Sequence, residues 1–413
     1  MPPECTSMHG PETRAPASAI WALGVTQIVG YGTLYYSFAI LAPDMAAEFG
    51  LPPQWVFGAL SAALFLGSLL APKAGRLADR HGAGRVMTLG SAAAATALAA
   101  CALAPGRSGF VAALVAMELA SCFVLYATAF VAIVQIGPVG AQRSITHLTL
   151  IAGFASTLFW PLTTFLHSHL DWRQVYLVFA AANLVLCLPI HAWLARLAAR
   201  RRLPAKDTAV AAIEAPDRAA VDPSRFRLVF LMMMAGFAVE GFILSAVLLH
   251  MVPLLTALGM GTAGVAASTL FGPSQVASRL VNMLFGGRLR QSVLALIAAS
   301  LVAAALATLL ASSPIVAGLA AFVVLFGLGS GLTSIVGGTL PLEVFGRAAY
   351  GSHVGWMSAA RQFTSAFAPF VFALMMAGLT IPGALLVLAA TAAVGMAVFG
   401  ALAAIAGPAP EPA

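Results

Sequence analysis

Gly75-Arg76-Leu77-Ala78-Asp79-Arg80-His81-Gly82-Ala83-Gly84-Arg85 gathers one acid, three arginines and three glycines into a single short stretch, in a chain of 413 residues of which only 8% are charged. Apolar runs near 54–74 and 84–104 flank it. Each is close to the roughly 20 residues that a helix needs to cross a hydrocarbon core. A charged joint between two membrane-length segments is the unit from which the rest of the chain can be parsed.

Hydrophobic residues make up 61% of the chain and its mean hydropathy is +0.96. Soluble globular domains hold about 45–50% apolar residues, so the composition excludes a soluble fold. The first apolar stretch, near Ser18 to Ala42, lacks the short core and small-residue cleavage site of a signal peptide and reads as a spanning helix. Further segments fall near 54–74, 84–104, 109–135, 144–167, 172–195, 228–250, 262–285, 291–311, 314–339, 353–377 and 381–406, twelve in all. They must be helices, because an open sheet would leave backbone groups unpaired in lipid. The fold class is an all-α membrane protein of twelve transmembrane helices. The longest polar interval, 196–227, carries Arg200-Arg201-Arg202 followed by Pro204, Asp207, Glu214, Pro216, Asp217, Asp222 and Pro223. It separates a six-helix bundle over 1–195 from a second over 228–413, as a linker does.

The formal charge of +7 does not indicate nucleic acid, because its distribution follows the membrane. With both termini cytoplasmic, the inner side holds Arg14, Lys73, Arg76, Arg80, Arg85, Arg143, Arg196, Arg200, Arg201, Arg202, Lys206, Arg218, Arg225, Arg227, Arg288, Arg290 and Arg347. The outer side holds only Arg107 and Arg173. Cys5, Cys101, Cys122 and Cys187 show no paired spacing, so neither a disulfide framework nor a zinc site is expected. His167 and His169 form a His-x-His pair without further ligands, and no metal or cofactor is implied. There is no Gly-x-x-x-x-Gly-Lys-Ser/Thr loop for ATP and no catalytic constellation, so neither a primary pump nor an enzyme is expected.

The Gly75–Arg85 stretch resembles the signature loop between helices 2 and 3 of the major facilitator superfamily of transporters, and two six-helix halves with a charged connector are that family's arrangement. The resemblance implies that Gly75, Arg76, Asp79, Arg80, Gly82 and Arg85 form a gating latch that holds the halves in an outward-open state. Its glycines permit a tight turn, and Asp79 is placed to pair with an arginine or with the positive N-terminus of a neighbouring helix. The second half echoes it with Gly286-Gly287-Arg288-Leu289-Arg290, which lacks the aspartate, so an asymmetric latch is expected. Pro341 to Arg347 reads as a further short charged turn. Tyr31-Gly32, Tyr35-Tyr36-Ser37-Phe38, Pro43 and Glu48-Phe49-Gly50 resemble the amino-terminal half of monocarboxylate porters and their relatives, which move small organic anions. The fifth segment, Ala152 to Pro161, lacks the Gly-Pro-x-x-Gly-Gly element of drug antiporters.

Four ionisable residues fall inside spanning segments: Glu118, Glu240, Arg279 and Arg361. Each costs a few kcal/mol to insert, which points to a cavity, a partner or a function. Gln275, Arg279, Asn282 and Gly286 recur on one helical face, expected to line the central cavity, where Arg279 would grip a carboxylate bidentately. In monocarboxylate porters an arginine in helix 8 binds the substrate carboxylate and an acid four residues earlier couples protons. Gln275 stands at that earlier position here. Proton coupling would then fall to Glu240 or Glu118, the alternative being that Glu240 merely neutralises Arg279 or Arg361. Gln27, Tyr31, Tyr35 and Phe38 share a stripe on helix 1, and Thr149, Gly153, Ser156 and Trp160 one on helix 5. Gln27, Tyr31, Tyr35 and Arg361 therefore join Arg279, Gln275 and Asn282 as candidate substrate residues. Trp55 and Trp172 are expected as interface anchors and Asp44 as a solvated cap.

The expected protein is a monomeric secondary active transporter in the inner cell membrane. Its cargo is a small, monocarboxylate-like organic anion moved by alternating access, with proton coupling left open. The rival reading is proton-driven efflux of a drug-like compound or a toxic oxyanion.

Overall fold

A computed structural model describes residues 14–202, 223–258, 261–312 and 315–405, and every named element among them is helical. Most of the expected linker, 203–222, lies outside the described residues. Nine of the helices described are long and apolar enough to cross a membrane. Three further units are interrupted or more polar and complete the twelve.

In chain order, α1 runs over Ala17–Tyr31, through a π-helical turn at Gly32–Tyr36, to Phe38–Glu48. Then follow α2 (Pro53–His81), α3 (Ala83–Leu103), α4 (Arg107–Val124 and Tyr126–Ile136) and α5 (Ala141–Ala152 and Ala155–His167). The first half ends with α6, formed by Trp172–Ala182, a π-turn at Asn183–Cys187 and Leu188–Arg202. The second half comprises α7 (Phe226–Ala257), α8 (Gly261–Ser268 and Phe271–Phe285), α9 (Gln291–Ser312), α10 (Val316–Phe345), α11 (Tyr350–Gly378) and α12 (Ile381–Ile405).

The helix boundaries correct two readings of the sequence. Gly75 to His81 are the last turns of α2 rather than a loop, and the chain reverses on Gly82 alone, whose φ of +90° lies where a side chain is strained. Pro341 to Phe345 likewise belong to α10, and the turn to α11 begins at Gly346, with φ +73°. Charged residues can remain helical at a membrane face because the helix satisfies their backbone groups while their side chains reach water.

Each half has its own buried core. In the first half it includes Phe38, Leu41, Leu98, Phe110 and Tyr176, and in the second Leu254, Phe322, Phe326, Phe372 and Leu388. Between lipid-immersed helices, close approach replaces the hydrophobic effect as the cohesive force, and small residues permit it. A Cβ on Gly84 would overlap the backbone of Ala195, which is how α3 and α6 come together.

Two polar clusters close the face opposite the Gly75–Arg85 motif. Arg173 bonds Glu48 (2.8 Å) and the carbonyl of Ala104 (3.0 Å), and the indole of Trp172 donates to the same Glu48. Trp172 is thus a 3%-exposed core residue and not an interface anchor, whereas Trp55 is 69% exposed. Asp44 is exposed, in keeping with a solvated position, and its carboxylate also lies 2.7 Å from the His167 ring across α1 and α5. Arg173→Ala should lower the thermal unfolding midpoint by several degrees, since it removes a charged donor worth about 1–2 kcal/mol. A midpoint equal to that of the unsubstituted protein would show that the cluster adds nothing.

Candidate functional site

The two halves meet along α2 and α11 and, nearer the motif face, where α4 and α5 approach α8, α10 and α11. At that face the Asp79 carboxylate accepts the backbone N–H of Gly351 (2.9 Å) and of Ser352 (2.8 Å), the first free amides of α11. A helix N-terminus presents unsatisfied donors and partial positive charge, so one carboxylate answers both needs. Gly75 permits the contact, because a Cβ there would overlap the Gly351 carbonyl, and one turn further on Gly355 packs against the backbone of Ala71 with less room to spare than a Cβ needs. The Tyr350 hydroxyl donates to Gly338 O (2.6 Å) and Arg347 reaches the Pro138 carbonyl (3.3 Å). Arg76, Arg80 and Arg85 are exposed and outside this seam. Of the six motif residues, therefore, Gly75 and Asp79 build the closure, and Gly82 makes the turn that follows it.

The second half has no counterpart of Asp79. At the start of α9 Glu343 instead accepts the amides of Gln291 (2.6 Å) and Ser292 (3.2 Å), inside one half. Gln135 occupies the matching place in the first half, accepting from Ala83 N at 2.8 Å. The expected asymmetry takes this form.

Deeper in the bundle, helix breaks shape the site. The π-turn of α1 widens the helix and lessens the rotation per residue, so Tyr35 and Tyr36 both fall near the face of Tyr31, whereas on a regular α-helix Tyr36 would point well away. Gly32 makes the turn possible by receiving the ring of Phe159 against its backbone. The Tyr31 ring lies 6.4 Å from that of Tyr36 and 4.7 Å from that of Tyr126, the first residue after the α4 break at Leu125. Tyr36 in turn lies 6.0 Å from Trp160. Neither Tyr36 nor Tyr126 was evident from helical periodicity, which assumes unbroken helices.

Arg361, on α11, leans against Gly241 of α7, and its charge is felt at Tyr31, Tyr35 and Tyr126. It is half-buried, and among the described residues its guanidinium has neither a hydrogen bond nor an ion pair. Arg279 differs. It is only 3% exposed and donates to Thr149 O (3.1 Å), Gly331 O (3.4 Å) and the Ser334 hydroxyl (2.9 Å). Its charge reaches Tyr36 and Tyr126.

Other candidates lie elsewhere. The α8 stripe turns toward α10 instead of an open cavity wall, with Gln275 donating to Ser330 at 2.9 Å. Asn282 lies beneath Arg279 toward the motif face, its side-chain oxygen buried without a partner. Gln27 is fully buried and donates to Val124 O (2.7 Å), satisfying a carbonyl freed by the α4 break. Glu240 accepts from Thr333 (3.2 Å) among Phe237, Ala295, Ala298 and Phe399, inside the second half and apart from both arginines. Glu118 is buried behind Tyr35 on the first-half side, with one carboxyl oxygen unpartnered. Among the described residues no group of three or more potential metal ligands gathers.

Similarity to known proteins agrees with this architecture. No curated protein matches the sequence. Among solved structures, the chain resembles the human organic anion transporter MFSD10 (TETRAN) with TM-score 0.69 and 16% identity, over 94% of this chain and 99% of that one. It resembles the proton:xylose symporter XylE bound to 6-bromo-6-deoxy-D-glucose with TM-score 0.67 and 14% identity, over 92% and 95%. FucP in its outward conformation gives TM-score 0.65 and 14% identity, over 94% and 99%. Such identities speak for the fold alone. The family description "Major Facilitator Superfamily" matches residues 23–369, and the chain belongs to that superfamily of transporters.

Proposed function

We propose that the protein is a secondary transporter for a small organic anion, bound between the halves by Arg361 and the tyrosines of α1 and α4. The observation that carries this reading is the half-buried guanidinium of Arg361, which among the described residues has no hydrogen bond or ion pair and lies within electrostatic reach of Tyr31, Tyr35 and Tyr126. An intramembrane charge without a protein partner is costly, and an anionic ligand offsets that cost. The surrounding rings supply apolar walls and hydroxyl donors, as a pocket for an organic carboxylate requires. The arginine excess supports a cytoplasmic motif face, with 1–195 and 228–413 taken as the moving halves and 196–227 as their linker. With that orientation, the Asp79 closure supports an outward-facing state. Glu118, next to Tyr35, is the acid placed for proton coupling, while Glu240 faces away.

The test is a thermal-shift and uptake screen on the purified protein at two pH values. Acetate, lactate and benzoate are compared with amphipathic cations and with inorganic oxyanions. Carboxylates should stabilise the protein and be taken up. Stabilisation by cations and not by carboxylates would overturn the reading in favour of drug efflux, and a response to inorganic oxyanions alone would move it to oxyanion transport.

A further inference from the structure

Arg279 is a buried positive charge that, among the described residues, has no carboxylate paired with it. Two of its three partners, Gly331 O and Ser334, belong to α10 in its own half, and the third, Thr149 O, belongs to α5 across the divide. That third bond depends on a local defect. The first segment of α5 stops at Ala152, and Gly153 shares its amide between Thr149 O (3.0 Å) and Leu150 O (3.2 Å) before the chain resumes at Ala155. The break lets the guanidinium approach the Thr149 carbonyl, whose second lone pair can accept it. Gly153 leaves the space, because a Cβ there would overlap Nη1 of Arg279.

We propose that Thr149 O and Gly153 form a resting seat for Arg279, so that Arg279 pins the two halves together until an anion draws its guanidinium off the carbonyl. The proposal rests on the anion reading above and adds a device to it. A carboxylate is a stronger partner for a guanidinium than a neutral carbonyl, so an anion within reach displaces Thr149. Thr149 O keeps its bond to Gly153 N, and release orphans no buried group on α5. Without an anion, separation strips a buried charge of one of its three partners, which discourages the empty carrier from opening toward the motif face. Tyr126 lies within electrostatic reach of both arginines. Gly153 is a positioning residue in this scheme, and no charge of its own is involved.

Hydrogen exchange of the full chain in lipid nanodiscs tests the proposal, followed over 346–356, which contains the two amides tied to Asp79, with benzoate as the probe. In the unsubstituted protein benzoate should speed this exchange on the order of tenfold, the scale of one charge-assisted hydrogen bond. Arg279→Gln and Gly153→Ala should exchange faster by a similar factor without benzoate and gain nothing from it. A role in packing alone would lower thermal stability but leave the benzoate dependence in place. Should Gly153→Ala fail to fold, Arg279→Gln carries the comparison. Slow exchange in ligand-free Arg279→Gln overturns the pin. Benzoate that stabilises the protein yet leaves exchange unchanged overturns anion release while sparing the transport reading. Fast exchange in both variants, with no benzoate binding by the unsubstituted protein, does the reverse, upholding the pin and removing the anion reading.

Discussion

Arg361→Gln should weaken carboxylate binding by about 3 kcal/mol, on the order of a hundredfold, and reduce uptake at low substrate concentration to the same extent. Glutamine preserves much of the volume and some hydrogen-bonding capacity, so the loss isolates the charge. No protein partner is orphaned by the change, because among the described residues the guanidinium has none. Stability without ligand should therefore hold or rise, whereas removing one member of a buried pair costs several kcal/mol. Isothermal titration with benzoate, paired with thermal unfolding of the ligand-free protein, separates these outcomes. Unchanged affinity would remove Arg361 from the site, and a large drop in ligand-free stability would mean that it has a structural partner. Arg361→Lys provides a graded case. The charge remains but the bidentate fork is lost, so an intermediate affinity is expected.

The second large effect lies at the motif face. Asp79→Ala should shift the halves toward opening at that face by about 3 kcal/mol, roughly a hundredfold in the equilibrium between closed and open. The estimate follows from two charge-assisted bonds, from Gly351 and Ser352, lost together with the favourable interaction of the carboxylate with the α11 N-terminus. Asp79→Asn keeps an acceptor but not the charge, and should fall between. Distance measurements between probes on exposed Arg76 and the start of α11 would report the change as a population at longer separation. An unaltered distribution in Asp79→Ala would show that the glycine seam of Gly75, Gly351 and Gly355 suffices for closure. Any larger side chain at Gly75 should act in the same direction as Asp79→Ala, through overlap with the Gly351 carbonyl.

Helix identity and number were legible because lipid removes every alternative: an apolar run of sufficient length must satisfy its own backbone. The twelve segments read from hydropathy correspond to α1 to α12, with ends displaced by a few residues where helices continue past the apolar core. Gly75–Arg85 shows the limit of that signal, since charge marks where the membrane ends and not where the helix does. The latch was legible only in part. Its aspartate and glycines stand out by composition, but nothing local distinguishes them from Arg76, Arg80 and Arg85, which remain exposed.

The proposed substrate site was harder to read for a specific reason. Helical periodicity projects residues onto faces of an ideal helix, and this site is assembled at the π-turn of α1 and the breaks of α4 and α5, where the projection fails. Tyr36 and Tyr126 were missed on that account, and Gln27 was placed on a cavity wall although it repairs the break in α4. Sequence alone determined that the chain is a bundle of membrane helices in two halves with an arginine-rich face, because those properties follow from hydropathy and charge summed over segments. Only the tertiary structure decided that Arg279 is occupied and Arg361 is not, because a buried charge is defined by the carbonyls and hydroxyls that other helices bring to it.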